Sequence, residues 1–146
     1  MANIVFKGPA ALTVDGKGRI AMPSRHRELL NAMGVSQLTV TKNPEGCLMI
    51  FPRPAWESFE ERIAALPMEG SGWKRVFLGS AMDVEIDGTS RILIAPELRT
   101  YAGIDRDVML LGMGTHFELW DVQRHAAQEA RVLQSSMPES LKTFSF

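Results

Sequence analysis

The chain has 146 residues, enough for one good core or for two small ones that share an interface. Apolar residues at 45% and charged residues at 23% are ordinary for a folded chain and argue against disorder, while a net charge of −1 excludes a protein that holds nucleic acid through overall basicity, so any anion binding must be local. A single cysteine, Cys47, excludes an internal disulfide and a cysteine-cluster metal site, and no segment has the order of a signal peptide or the roughly 18 apolar residues of a membrane span, so a cytoplasmic location is expected.

The first run, LTVDGKGRIAMPSRHRELL from Leu12, reads as strand, tight turn, strand and short helix. The helix begins near Pro23 and Ser24, carries Arg25, Arg27 and Glu28 with Leu29 and Leu30 turned inward, and is stopped by Gly34. LTVT (Leu38 to Thr41) and CLMIF (Cys47 to Phe51) then form a hairpin that turns at KNPEG. RPAWESFEERIAAL follows, with Trp56, Phe59, Ile63 and Leu66 on one stripe, which is the spacing of an amphipathic helix. PMEGSG, Pro67 to Gly72, breaks the chain.

The pattern then returns as VEIDGTSRILIAPELRTYA. With Asp15 set against Asp87, Gly16 matches Gly88, Arg19 matches Arg91, Ile20 matches Ile92 and Arg27 matches Arg99. Pro96 opens the second short helix and Gly103 closes it. VMLL and HFELW make the second hairpin, turning at GMGT. Asp121 is an N-cap for VQRHAAQEARVL, on which Val122, Ala126, Ala130 and Leu133 line up, and SSMPESLKTFSF is an expected loose tail. The organisation is therefore a tandem repeat of a small β-rich unit: 4–52 the first, 53–79 a helical connection, 80–122 the second, 123–146 a C-terminal helix and tail. Neither unit has a large core, so the two are expected to close on one another.

Two readings of DGKGR stand side by side. Asp-Gly is a good hairpin turn by itself, because Gly supplies a positive φ and Asp bonds the backbone nearby. A turn alone, however, does not require an arginine four places after the acid, and here the pair occurs twice. An Asp–Arg pair at that spacing can close across the turn and aim the loop. Lys17, Arg19, Arg25, His26 and Arg27 also form a local basic cluster. Such a cluster suits phosphate contacts, and an arginine fork reads guanine in the major groove; the other reading is a solvated charged face on the short helix.

The chain resembles the MraZ family of bacterial transcriptional regulators, whose members carry two AbrB-like units marked by Asp-x-x-x-Arg motifs; here these are DGKGR and DGTSR. VFLGSAMDVEIDG and FELWD extend the resemblance over nearly the whole chain. It implies a mainly β fold with flanking helices: a tandem AbrB-like swapped-hairpin β-barrel of two pseudo-symmetric halves, assembled into a ring-like homo-oligomer. It implies a nucleoid-associated regulator, typically a repressor, that binds repeated G-rich boxes in double-stranded DNA upstream of its own division and cell-wall operon. By position, Lys17, Gly18 and Arg19 would form the DNA-reading loop, with Arg91 a weaker equivalent and Arg25 and Arg27 alongside, while Asp15, Gly16, Asp87 and Gly88 hold the turns. Ser90 departs from the first copy, where Gly18 stands; a positive φ there would strain serine and give the second loop a different shape or weaker binding.

Other chemistry is thin, and no enzyme, metal or cofactor is expected. His26, His116 and His125 have no metal spacing and read as surface or hairpin residues. Cys47 reads as a small packed side chain. GMG lacks the third glycine and helix of a dinucleotide loop. Adjacent Glu60 and Glu61 cannot face one substrate. The rival reading is a β-barrel interaction scaffold or antitoxin-like module in which the motifs only lock turns; salt-sensitive DNA binding separates the two.

Overall fold

The computed structural model describes residues 5–144. The ends of the segments expected at 4–52 and 123–146, namely residue 4 and residues 145–146, lie outside the described residues. The first half runs β1 (Phe6–Thr13), β2 (Arg19–Ala21), α1 (Ser24–Ala32), β3 (Gln37–Asn43), β4 (Cys47–Pro52) and α2 (Arg53–Ala64). A 3-10 turn at Met68–Gly70 leads into α3 (Ser71–Phe77). The second half repeats the order as β5 (Met82–Glu85), β6 (Arg91–Leu93), α4 (Pro96–Ala102), β7 (Asp107–Gly114), β8 (Phe117–Asp121) and α5 (Val122–Gln134), with a last 3-10 turn at Glu139–Leu141.

A six-stranded sheet has the order β1-β7-β8-β4-β3-β5, and β2 pairs with β6 in a separate ribbon. The order is palindromic once each strand is replaced by its repeat counterpart. β1 of the first half lies on β7 of the second, and β5 of the second lies on β3 of the first, so each half lends its leading strand to the other. This is the mainly β, swapped-hairpin architecture of two pseudo-symmetric halves. The local twofold axis passes where counterparts pair with each other: Met49 with Glu118 at the sheet centre, Ile20 with Ile92 in the ribbon.

One core fills the space between sheet and ribbon. Alternation puts Leu48 and Ile50 of β4, Phe117 and Leu119 of β8, and Val108 and Leu110 of β7 on the inner face, where they meet Ile20, Ile92, Ile94, Leu30 and Leu98. Both halves contribute, as expected of units too small to stand alone. On the outer face a smaller aromatic cluster of Phe51, Trp56, Phe59 and Phe77 packs under α2 and α3. Trp56 is buried there, whereas Trp73 on α3 is exposed.

Several local expectations change. The break at Pro67 is real but short: Met68–Gly70 form a 3-10 turn, and Ser71 and Gly72 already belong to α3, a helix too brief to show an apolar period. The second hairpin turns at Thr115-His116, later than GMGT, because Gly112 to Gly114 continue β7. Gly112 is needed inside that strand: a Cβ there would sit 2.3 Å from the Lys7 backbone nitrogen of β1. Asp121 does cap α5, accepting from the Arg124 N–H at 3.0 Å. The stripe of Val122, Ala126, Ala130 and Leu133 is not an inward face, since α5 buries none of its residues and Leu133 is exposed. His125, Gln128 and Val132 line the groove against β7 and β8 instead. The expected loose tail is exposed through its described part, its one 3-10 turn included.

Candidate nucleic-acid interface

Each DGxxR loop is a closed backbone turn built on its aspartate. Asp15 Oδ1 accepts from the N–H groups of Lys17 and Arg19, both at 2.9 Å, while the Gly18 N–H donates to Asp15 O at 3.0 Å. Asp87 repeats this with Thr89 and Arg91 at 2.9 Å and with the Ser90 N–H on Asp87 O at 2.9 Å. The Arg19 N–H holds the Asp15 carboxyl below its usual range, and the Arg91 N–H does the same for Asp87. The second loop therefore does not have a different shape. Ser90 adopts φ 65°, beside φ 83° at Gly18, and so carries the left-handed strain that serine pays and glycine does not.

The ribbon brings the two motifs into one cluster on the local axis. Arg19 Nε lies 3.0 Å from Asp15 Oδ2, and its Nη1 lies 4.0 Å from Asp87 Oδ2. Arg91 approaches Asp15 and Asp87 at 3.7 Å each, while its Nε donates to Thr89 Oγ1 at 2.7 Å. Two acids and two arginines alternate around the axis, all partly open to solvent. Only the Arg19–Asp15 contact is a tight ion pair, so the cluster orients side chains more than it stabilises the fold. Lys17 and Thr89 stand exposed on either side.

The basic residues of α1 and α4 are not equivalent. Arg99 of α4 folds over Gly18: its Nε donates to Ile94 O at 3.0 Å, and a Cβ on Gly18 would meet its guanidinium at 2.9 Å. Gly18 is itself buried beneath that guanidinium. Arg25 turns away to β1, donating to Pro9 O at 2.7 Å. Arg27 has no side-chain hydrogen bond or ion pair among the described residues. The contiguous basic patch of the sequence is thus dispersed in the fold.

The histidines divide. His26 is not a surface residue: it is buried edge-on to Phe6 and Phe117, and its Nδ1 has no hydrogen-bond partner among the described residues. Burial lowers its pKa, with the Arg25 charge acting in the same direction. His116 sits in the β7–β8 turn, stacked on Phe51, and His125 lies edge-on to Trp120. Burial pushes the Cys47 thiol up, as befits a packed side chain. Among the described residues no group of histidine, cysteine or carboxylate side chains could hold a metal ion, and no helix is long and apolar enough to cross a membrane.

The family model for "MraZ protein", which its description also terms antitoxin-like, matches residues 5–71 and again 77–144. The chain belongs to the MraZ family. Full-length relatives include the transcriptional regulator MraZ of Methylibium petroleiphilum and that of Leptothrix cholodnii, each 62% identical over all 146 residues of both chains. The transcriptional regulator MraZ of Ralstonia pickettii is 59% identical over 142 residues, covering 97% of this chain and all of the relative. The double match falls on the two halves that the sheet order relates. In this MraZ chain the signature acids and arginines of both copies meet in one cluster, a juxtaposition that spacing along the sequence does not reveal. Arg99 over Gly18 was missed for the same reason: its only sequence signal is that a glycine stands where the other copy has a serine.

Proposed function

We propose that this protein is a sequence-specific DNA-binding transcriptional regulator, acting in the cytoplasm at the nucleoid as a repressor of its own division and cell-wall operon. The observation that carries the reading is the pair of DGxxR loops held side by side on a local twofold axis, within a full-length match to proteins named transcriptional regulator MraZ. Lys17, Arg19 and Arg91 contact DNA, with Arg25 and Arg27 flanking them; Gly18 shapes the first loop, and Asp15, Gly16, Asp87 and Gly88 hold the turns. An acidic chain needs more than one such cluster. A ring-like homo-oligomer that sets several clusters against repeated G-rich boxes supplies that through avidity.

Footprinting the DNA upstream of the protein's own reading frame tests the reading. Protection of regularly repeated boxes, lost steeply as salt rises, is the expected result. Absence of protection at low salt, or a monodisperse monomer by light scattering at micromolar concentration, would count against it.

A further inference from the structure

The two loops share one backbone but not one set of cations, and the difference turns on a single Cβ. Four backbone hydrogen bonds match between the copies. Asp15 N–H to Arg19 O corresponds to Asp87 N–H to Arg91 O, and Gly18 N–H to Asp15 O corresponds to Ser90 N–H to Asp87 O. Ile94 N–H to Gly18 O corresponds to Met22 N–H to Ser90 O. Arg99 N–H to Ala95 O corresponds to Arg27 N–H to Pro23 O. Arg27 therefore holds the place on α1 that Arg99 holds on α4, with Ser90 standing where Gly18 does. At Gly18 the absent side chain makes room for the Arg99 guanidinium, which settles on the loop and spends its Nε–H on Ile94 O. At Ser90, with φ 65°, a Cβ fills that same space. Arg27 makes no counterpart of the Arg99–Ile94 bond, and its side chain has no hydrogen bond or ion pair among the described residues. Meanwhile the second loop has Thr89 where the first has Lys17.

We propose that Arg27, kept off the loop by the side chain of Ser90, is the cation that the second DGxxR loop presents to a DNA backbone phosphate, in place of the lysine that the first loop carries at position 17. The proposal rests on the DNA-binding reading above and refines it. Ser90 is a positioning residue, and its strained φ is the cost of an unlocked arginine. The two loops then offer the same number of phosphate contacts by different means, Lys17 with Arg99 locked and Thr89 with Arg27 free. Phosphate is the expected target because Arg27 stands on α1, beside the loop and not at its tip.

The test uses the full chain and a labelled duplex from upstream of its own reading frame, titrated by fluorescence anisotropy over a salt series, with Arg27→Ala, Ser90→Gly and the double variant. Arg27→Ala is expected to weaken binding by at least about fivefold near 0.1 M salt, and to make the salt dependence shallower by about one contact per engaged subunit. Ser90→Gly, which relieves backbone strain and leaves circular dichroism unchanged, is expected to weaken binding similarly, and the double variant to bind no worse than Arg27→Ala. In Ser90→Gly the Arg27 Nε–H should also exchange with solvent as slowly as that of Arg99, a readout that needs no DNA. Full affinity in Ser90→Gly, an equal further loss when it is added to Arg27→Ala, or unchanged Arg27 exchange would overturn the proposal while leaving DNA binding intact. Failure of the unaltered protein to bind the duplex at any salt would overturn both readings.

Discussion

Arg91 of the second repeat reaches the carboxylate of Asp15 in the first, Nη1 to Oδ2 at 3.7 Å, so the acid that builds one loop also steadies the arginine of the other. Asp15 Oδ1 is meanwhile engaged by the Lys17 and Arg19 amides of its own loop. One side chain thus serves both motifs.

Replacing Asp15 by alanine is expected to weaken DNA binding, although it removes a negative charge from a site that faces an anion. A purely electrostatic site would bind more tightly. A mobility shift at one stated salt concentration reads the sign directly, and stronger binding by Asp15→Ala would remove the orienting role.

Arg19 and Arg91 differ in how they are held. Arg19 makes the tight pair with Asp15, whereas the Nε of Arg91 is taken by Thr89. Arg19→Ala is expected to abolish detectable binding to a repeated operator, since about 1–3 kcal/mol per arginine is multiplied over every engaged subunit, while Arg91→Ala retains measurable affinity. Equal losses in the same gel would place the two loops on a par.

Acidification is expected to destabilise the fold in two steps. His26 and His116 have pKa values lowered by burial, so the unfolded chain takes up protons first and stability falls as pH drops below about 6.5. Asp15 and Asp87 are also lowered, and their contribution, fully present above the ordinary aspartate range, is lost below about pH 4. Glu118 acts oppositely, because burial raises its pKa. Melting temperature against pH should therefore slope less steeply between pH 7.5 and 5.5 in His26→Leu than in the unaltered protein; parallel curves would exonerate His26.

Gly112→Ala should be far more damaging than a surface change. Its Cβ would meet backbone, 2.3 Å from Lys7 N and 2.5 Å from Phe6 C, and no side chain can move aside to relieve it. A loss of about 3 kcal/mol or more, read as a lowered denaturation midpoint, is expected as β1 is pushed off β7.

The repeat, the two DGxxR turns and the caps could be read from sequence because each is a local matter of residue type and spacing. Pro96, Gly103 and Asp121 stand where their chemistry requires. The pairing of β1 with β7 was accessible only through family resemblance, since hydrophobic alternation says which face a strand buries and not which strand lies beside it. α5 misled for a related reason: its most regular apolar row is left exposed, and its contact side carries His125 and Gln128, which pattern reading counts as polar. The burial of His26 and the settling of Arg99 on Gly18 depend on which elements meet in space.

The exchange of leading strands also sets a timetable for synthesis. β1 closes at Thr13, but its partner β7 ends at Gly114, so the first strand leaves the ribosome about a hundred residues before anything exists for it to pair with. At about 5–20 residues per second that is an interval of several seconds or more. During it Phe6 and Leu12 lack their final cover, and the hairpin of β3 and β4 waits for β5 and β8 at its two edges. A nascent chain of this protein stalled before residue 107 is therefore a protease-sensitive chain with open strand edges, and the same unpaired β1 is the element through which two such chains could trade strands.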